Sequence, residues 1–232
     1  MSSTTQDTNH VAAVFTEHTL QVDALQIRYL EAGQGDPVVV LCSLKELTQS
    51  SFFTLLAQQC RVIAFEFFGS YRSPVEDRPV SDTARRLAQA LTVVGLDHYV
   101  LIGVAASAPL ALRQALEARE HVDALVLISP SVPPPAGRTA TSDTSAEPVL
   151  TSRLGEVQTP TLVMLGTDDA SIPPETGRLY AEQMPNCYYV LVYDAGQALL
   201  TERPDALYAA VYDFVQRHGA FIVEHHSTAI NP

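Results

Sequence analysis

The stretch LIGVAASAPL, residues 101–110, passes from an apolar run that begins at Tyr99 into a series of small residues, among them Gly103, Ala105, Ala106 and Ser107. Small side chains after a strand-like run allow the next helix to pack close against the strand it leaves. Outward from this point the same kind of run recurs at Val38–Leu41, Arg61–Phe65, Ala124–Ile128, Thr161–Leu165 and Tyr188–Val192. Apolar runs without polar alternation suit strands buried on both faces, which is the habit of a parallel sheet. Helix-like segments lie between them. The clearest repeats Ala84, Leu87, Ala88, Leu91 and Val94 in steps of three and four, so one face packs on a sheet. Ser81 or Asp82 is expected to cap its first turn, and Gly95 suits a left-handed residue at its end. Two further helices are expected at Glu175–Gln183 and Thr201–Arg217. Upstream, Val14–Gln21 and Leu25–Glu31 read as an antiparallel pair at a sheet edge. Alternation at this spacing means right-handed β-α-β units and an α/β fold class.

Composition bounds the organisation. A chain of 232 residues, 47% hydrophobic and 17% charged, is expected to form one compact α/β domain over 13–218. Residues 1–12 read as a disordered arm and 219–232 as a tail or an oligomer contact. From Ser131 to Gln158 the prolines Pro133–Pro135 lead into a polar stretch, Gly137–Ser145, which reads as a flap and is too polar for a second domain. Only Val149–Leu154 there is expected to form a turn or two of helix. The formal net charge of −12, with 14 basic side chains, provides no surface for nucleic acid or an anionic membrane. No apolar run reaches the roughly 18 residues of a membrane span, and no basic, then apolar, leader opens the chain. The three cysteines, Cys42, Cys60 and Cys187, form no C-x-x-C pair, so neither a disulfide framework nor a zinc site is expected. A cytoplasmic setting with no metal and no cofactor is the expectation.

Five segments, in this order, resemble the motifs of the α/β-hydrolase fold superfamily, and the likeness covers Val14 to Arg217. GQGDPVVVLCSL, residues 33–44, is similar to the strand and turn that end in His-Gly. EFFGSYRS, residues 66–73, is similar to the Asp-x-x-Gly-x-Gly-x-Ser loop. LIGVAASAPL stands at the nucleophile elbow, Gly-x-Ser-x-Gly. GTDDASIP, residues 166–173, resembles the acid turn, and GQALLTERP, residues 196–204, resembles the turn from Gly-His to Glu-x-Pro. The resemblance implies a mostly parallel eight-stranded sheet flanked by helices. The interval 131–158 is too short for the family's multi-helix cap, which implies a capless member with its cap reduced to a loop.

A serine hydroxyl is a poor nucleophile near neutral pH and needs a histidine base oriented by a carboxylate. By the same resemblance the serine position is Ala105 and the histidine position Gln197, while the acid persists as Asp169, with Asp168 the alternative. Neither alanine nor glutamine can perform its step, so a pseudo-hydrolase is implied. Gln197 is expected to donate its amide to Asp169, a static pair in place of a proton relay. The oxyanion-hole donors would be the backbone N–H groups of Leu44 and Ala106. Pocket candidates are Cys42, Ser43, Ser107 and Phe68. Ser107 is expected to pack against the sheet or to cap the following helix, and Cys42 to be a buried small residue. The leading expectation is a cleft that binds a small molecule or a protein partner. A second is a lyase, isomerase or cyclase using Asp169 and backbone donors; a third is a hydrolase with a displaced nucleophile at Ser107, Ser43 or Cys42.

Overall fold

Period-two alternation along the strands divides the core into two layers. In β3, Pro37–Leu41, Val38 and Val40 face one layer and Val39 and Leu41 the other, all of them fully buried. The computed structural model describes residues 14–23, 25–65, 80–130, 150, 152–217 and 228–230. Its strands are β1 (Thr16–Val22), β2 (Leu25–Ala32), β3, β4 (Arg61–Phe65), β5 (Tyr99–Val104), β6 (Val122–Ile128), β7 (Thr161–Gly166), β8 (Cys187–Val192) and β9 (Thr228–Ile230). Its helices are α1 (Leu44–Gln49), α2 (Ser51–Leu56), α3 (Val80–Val94), α4 (Ala108–Glu117), α5 (Glu175–Gln183), α6 (Leu199–Glu202) and α7 (Pro204–Gln216).

The sheet order is β1-β2-β4-β3-β5-β6-β7-β8-β9. β1 and β2 form the expected antiparallel pair at the edge, β2 meets β4 antiparallel, and every other pairing is parallel. The eight expected strands are present in a mostly parallel array, and Thr228–Ile230, within the segment read as a tail, adds a ninth beside β8. One layer holds residues of α3, α4 and α5; the other holds α2 and α7. Placing β4 and β5 on opposite sides of β3 opens a crevice beyond the carboxyl ends of β3 and β5, the usual place for a ligand in such a sheet.

Two local expectations are corrected. Helix α3 begins at Val80, so Ser81 and Asp82 lie inside its first turn, where the Asp82 carboxylate accepts from Arg85 (2.8 Å) and Arg86 (2.9 Å). The single helix expected over Thr201–Arg217 is divided at Arg203 (φ −136°, ψ 55°), because a residue before proline is pushed out of the helical region. Near the helical turn expected at Val149–Leu154, Leu150 and Ser152 are helical, and a short 3-10 turn follows at Leu154–Glu156. Gly95, by contrast, takes the left-handed conformation (φ 80°) expected at the end of α3. The arm at 1–12, the 66–73 motif with Phe68, and most of the 131–158 flap lie outside the described residues. Among the described residues no helix is long and apolar enough to cross a membrane.

Candidate functional site

β5 ends against α4 with no room to spare. A Cβ added at Gly103 would meet the Ala111 Cβ at 2.6 Å and the Ala108 Cα at 3.2 Å. After the extended Val104, Ala105 turns into the left-handed region (φ 45°), and a 3-10 turn over Ala105–Ser107 leads into α4. That conformation costs an L-residue roughly 1–2 kcal/mol. The reversal leaves Ala105 on the floor of an open cleft of about 380 Å³.

The neighbouring strand ends in the same way. Ser129, just past β6, is also left-handed (φ 47°); its N–H donates to the Met164 carbonyl (2.9 Å), and it borders the cleft beside Ile128. The residue is 3% exposed, and its Oγ has no hydrogen-bond partner among the described residues. The third wall begins at β3, where Ser43 caps α1. Its Oγ accepts from Glu46 N–H (3.2 Å), while the Ser43 N–H and O–H both donate to Glu46 Oε2 (2.7 Å each). This capping box holds the Ser43 hydroxyl on the Glu46 carboxylate, with no histidine beside it among the described residues that line the cleft. Lys45, Glu46 and Gln49 continue the rim, and Gln197 to Thr201 close the far side.

The turns after β7 and β8 are joined through their backbones. Asp168 N–H donates to the Ala195 carbonyl (2.9 Å) and Thr167 N–H to that of Val192 (3.0 Å), while a Cβ at Gly166 would lie 2.1 Å from the Ala195 oxygen. Glu202 accepts from Gly196 N–H (2.5 Å), holding the second turn. Asp169 is buried; its Oδ1 accepts from Ser171 N–H (2.8 Å) and Ile172 N–H (2.9 Å), and its Oδ2 has no partner among the described residues. The expected Gln197–Asp169 hydrogen bond is therefore not made. Gln197 is exposed at the rim, where water solvates its amide, whereas Asp169 does not line the cleft.

Of the residues singled out from sequence, the structure brings Ser43, Ala105 and Gln197 to one cleft. Cys42 and Ser107, expected as pocket residues, are buried and do not line it. Burial, reinforced by the Glu46 carboxylate, pushes the Cys42 thiol far up, so it remains protonated near neutral pH. Ser107 makes no side-chain cap bond and serves in packing at the base of α4. Leu44 is the first residue of α1, and Ala106 is exposed within the 3-10 turn, two positions whose N–H groups take no intrahelical partner. Ser129 and Lys45 were missed. Ser129 could have been found by the strand-end logic that drew attention to Ala105, since it closes the run Ala124–Ile128. Among the described residues no group of three or more His, Cys, Asp or Glu is placed to hold a metal ion. The cleft offers an apolar floor and a polar rim, with no histidine among the described residues that line it.

No family model matches the sequence. Solved structures match over most of the chain. A serine hydrolase involved in carbazole degradation, the CarC enzyme, is 20% identical with a TM-score of 0.71, covering 88% of this chain and 100% of its own. MGS-MChE2, an alpha/beta hydrolase enzyme from the metagenome of lagoon sediments at Mar Chica, Morocco, is 22% identical (TM-score 0.69; 86% and 99% covered). A serine-to-alanine mutant of the meta-cleavage product hydrolase CumD from Pseudomonas fluorescens IP01, complexed with acetates, is 14% identical (TM-score 0.71; 86% and 97% covered). With this strand order and these structural neighbours, the chain has the α/β-hydrolase fold.

Proposed function

We propose that this chain binds a small, partly apolar molecule in the cleft above Ala105 and does not carry out serine hydrolysis. One observation carries the reading: the cleft is open and largely apolar at the fold's usual ligand position, yet a methyl group occupies its floor where a nucleophile would stand. Ala105 and Gln197 take the serine and histidine places, and Asp169, lacking a histidine, keeps an unpartnered Oδ2. Losing triad members lowers hydrolysis by about 10⁶-fold. A non-hydrolytic reaction through Asp169 is disfavoured because its carboxylate does not face the cleft. The CumD mutant carries alanine in place of a serine and is complexed with acetates, which makes small carboxylates one ligand class to test on this chain. Three free thiols support a cytoplasmic setting.

The test combines labelling with restoration. Native protein treated with a fluorophosphonate or a thiol reagent stays unlabelled at Ser43, Ser107 and Cys42. The double variant Ala105→Ser with Gln197→His gains slow turnover of an activated ester above either single variant, through the N–H groups of Leu44 and Ala106. Stoichiometric labelling or ester turnover by the native chain overturns the reading.

A further inference from the structure

We propose that the ligand is a small apolar carboxylate, its anionic group held by Lys45 at the rim and by the Ser129 hydroxyl at the floor. This rests on the binding reading above. Lys45 is the only lysine of the chain, the other 13 basic residues being arginines. Four of the arginines are engaged elsewhere: Arg61 with Glu31, Arg86 with Asp82, Arg113 with Glu117 and Arg217 with Asp213. Lys45 has no ion pair among the described residues and is exposed on the cleft rim. A lysine ammonium is a compact point charge on a flexible stem, suited to one anionic group arriving at an open mouth.

Ser129 supplies the second half. A buried hydroxyl without a partner destabilises a fold, and native structures contain few. Here the orphan is held in a left-handed residue at the cleft. Strain and an unmet hydrogen bond in one residue are typical of a position that a ligand completes. The Oγ is buried in the structure, so contact with the ligand calls for rotation about χ1 to another staggered well, from which the hydroxyl would donate to a carboxylate oxygen.

The remaining walls decide the rest of the molecule. Val104, Ala105, Ile128, Leu199 and Leu200 require an apolar body. At about 380 Å³ the cleft is near the lower end of the roughly 300–1,000 Å³ usual for ligand pockets, which fits one ring or a short chain. Glu46 also lines the rim, but its Oε2 already accepts from the Ser43 N–H and O–H. Lys45 is the one cation among the described residues that line the cleft, beside the Glu46 carboxylate, and a single positive charge there matches a monoanion and not a phosphate dianion.

The test uses the full chain, with hexanoate and phenylacetate against their amides and hexylamine, read by calorimetry and thermal shift. The carboxylates are expected to bind best and to weaken with added salt. Lys45→Gln should weaken hexanoate about five- to tenfold and leave hexanamide unchanged, while Lys45→Arg retains binding. Ser129→Ala should weaken hexanoate while raising the melting temperature, opposite signs that a purely structural role would not produce. Reductive methylation with ¹³C-formaldehyde gives one side-chain resonance, that of Lys45, and hexanoate should shift it. Amides binding as tightly as acids, preference for hexylamine, or a Lys45→Gln variant that binds normally overturns the carboxylate assignment and leaves the binding cleft standing. Ester turnover with hexanoate binding still sensitive to Lys45 overturns the non-catalytic reading and leaves this one standing. Absence of binding by every compound overturns both.

Discussion

The junction of β5 with α4 and the paired turns after β7 and β8 are both built on glycines that admit no side chain, yet they treat chemistry differently. At the first, the close approach of Gly103 to Ala111 and the left-handed Ala105 reproduce a sharp strand-to-helix reversal around a methyl group. At the second, the backbone is equally well held, with Gly166 against the Ala195 carbonyl, but the side chains have parted: Asp169 is buried and half satisfied, and Gln197 is in solvent. Packing and backbone hydrogen bonds define a turn whatever its side chains do. A hydrogen bond between two side chains needs particular atoms in contact, and the packing of the turns does not by itself supply that contact.

The largest expected effect tests the shared half of this comparison. Gly166→Ala places a Cβ 2.1 Å from the Ala195 oxygen and 2.8 Å from that of Gly196, both backbone atoms of a held turn. Urea unfolding should show a loss of about 3 kcal/mol or more. Gly103→Ala meets the methyl of Ala111 and should cost less, about 1–3 kcal/mol. A Gly166→Ala variant of native stability would mean that the second pair of turns is looser than the elbow. Asp169→Ala comes next: it removes the acceptor of two backbone N–H groups, at a cost of about 2 kcal/mol, while Asp169→Asn keeps that acceptor and should cost less than about 1 kcal/mol.

Ala105→Gly should have the opposite sign. Relief of the left-handed Cβ contact gains roughly 1–2 kcal/mol, and the extra freedom of glycine in the unfolded chain returns about 0.5–1 kcal/mol. The net is a stabilisation of about 0.5–1 kcal/mol, read as a higher urea midpoint with unchanged slope. A loss instead would mean that the Ala105 methyl is itself a packing element of the cleft floor.

The sequence made the sheet legible because a strand buried on both faces must be apolar without interruption, as Val38–Leu41 and Thr161–Leu165 are. Helices α1 and α2 carry too few turns for a periodicity to register, and their ends are set by the caps Ser43 and Ser50. The ninth strand is only Thr228–Ile230, paired to β8 by backbone groups that any residues could supply. At the cleft, Ala105 and Gln197 were legible by position, since each follows a strand in the expected order. The orphaned Ser129 Oγ and the outward Gln197 were not, because a missing hydrogen bond belongs to three-dimensional neighbours.

The smallest effect is the sharpest test of the difference between the two regions. In the native chain Gln197 and Asp169 are not hydrogen-bonded to each other, so a double-mutant cycle of Gln197→Ala with Asp169→Asn should close to within about 0.3–0.5 kcal/mol, as for independent sites. Gln197→His changes the chemistry and not the backbone. An imidazole N–H that reaches the unpartnered Oδ2 forms a hydrogen bond to a charged acceptor, and the cycle of Gln197→His with Asp169→Asn should then show a coupling of about 1 kcal/mol or more. Coupling in the first cycle would mean that Gln197 reaches the carboxylate in solution. Its absence from the second would mean that the turn after β8 does not aim residue 197 at the Asp169 carboxylate, and the separation of the two would then lie in the backbone as well as in the side chains.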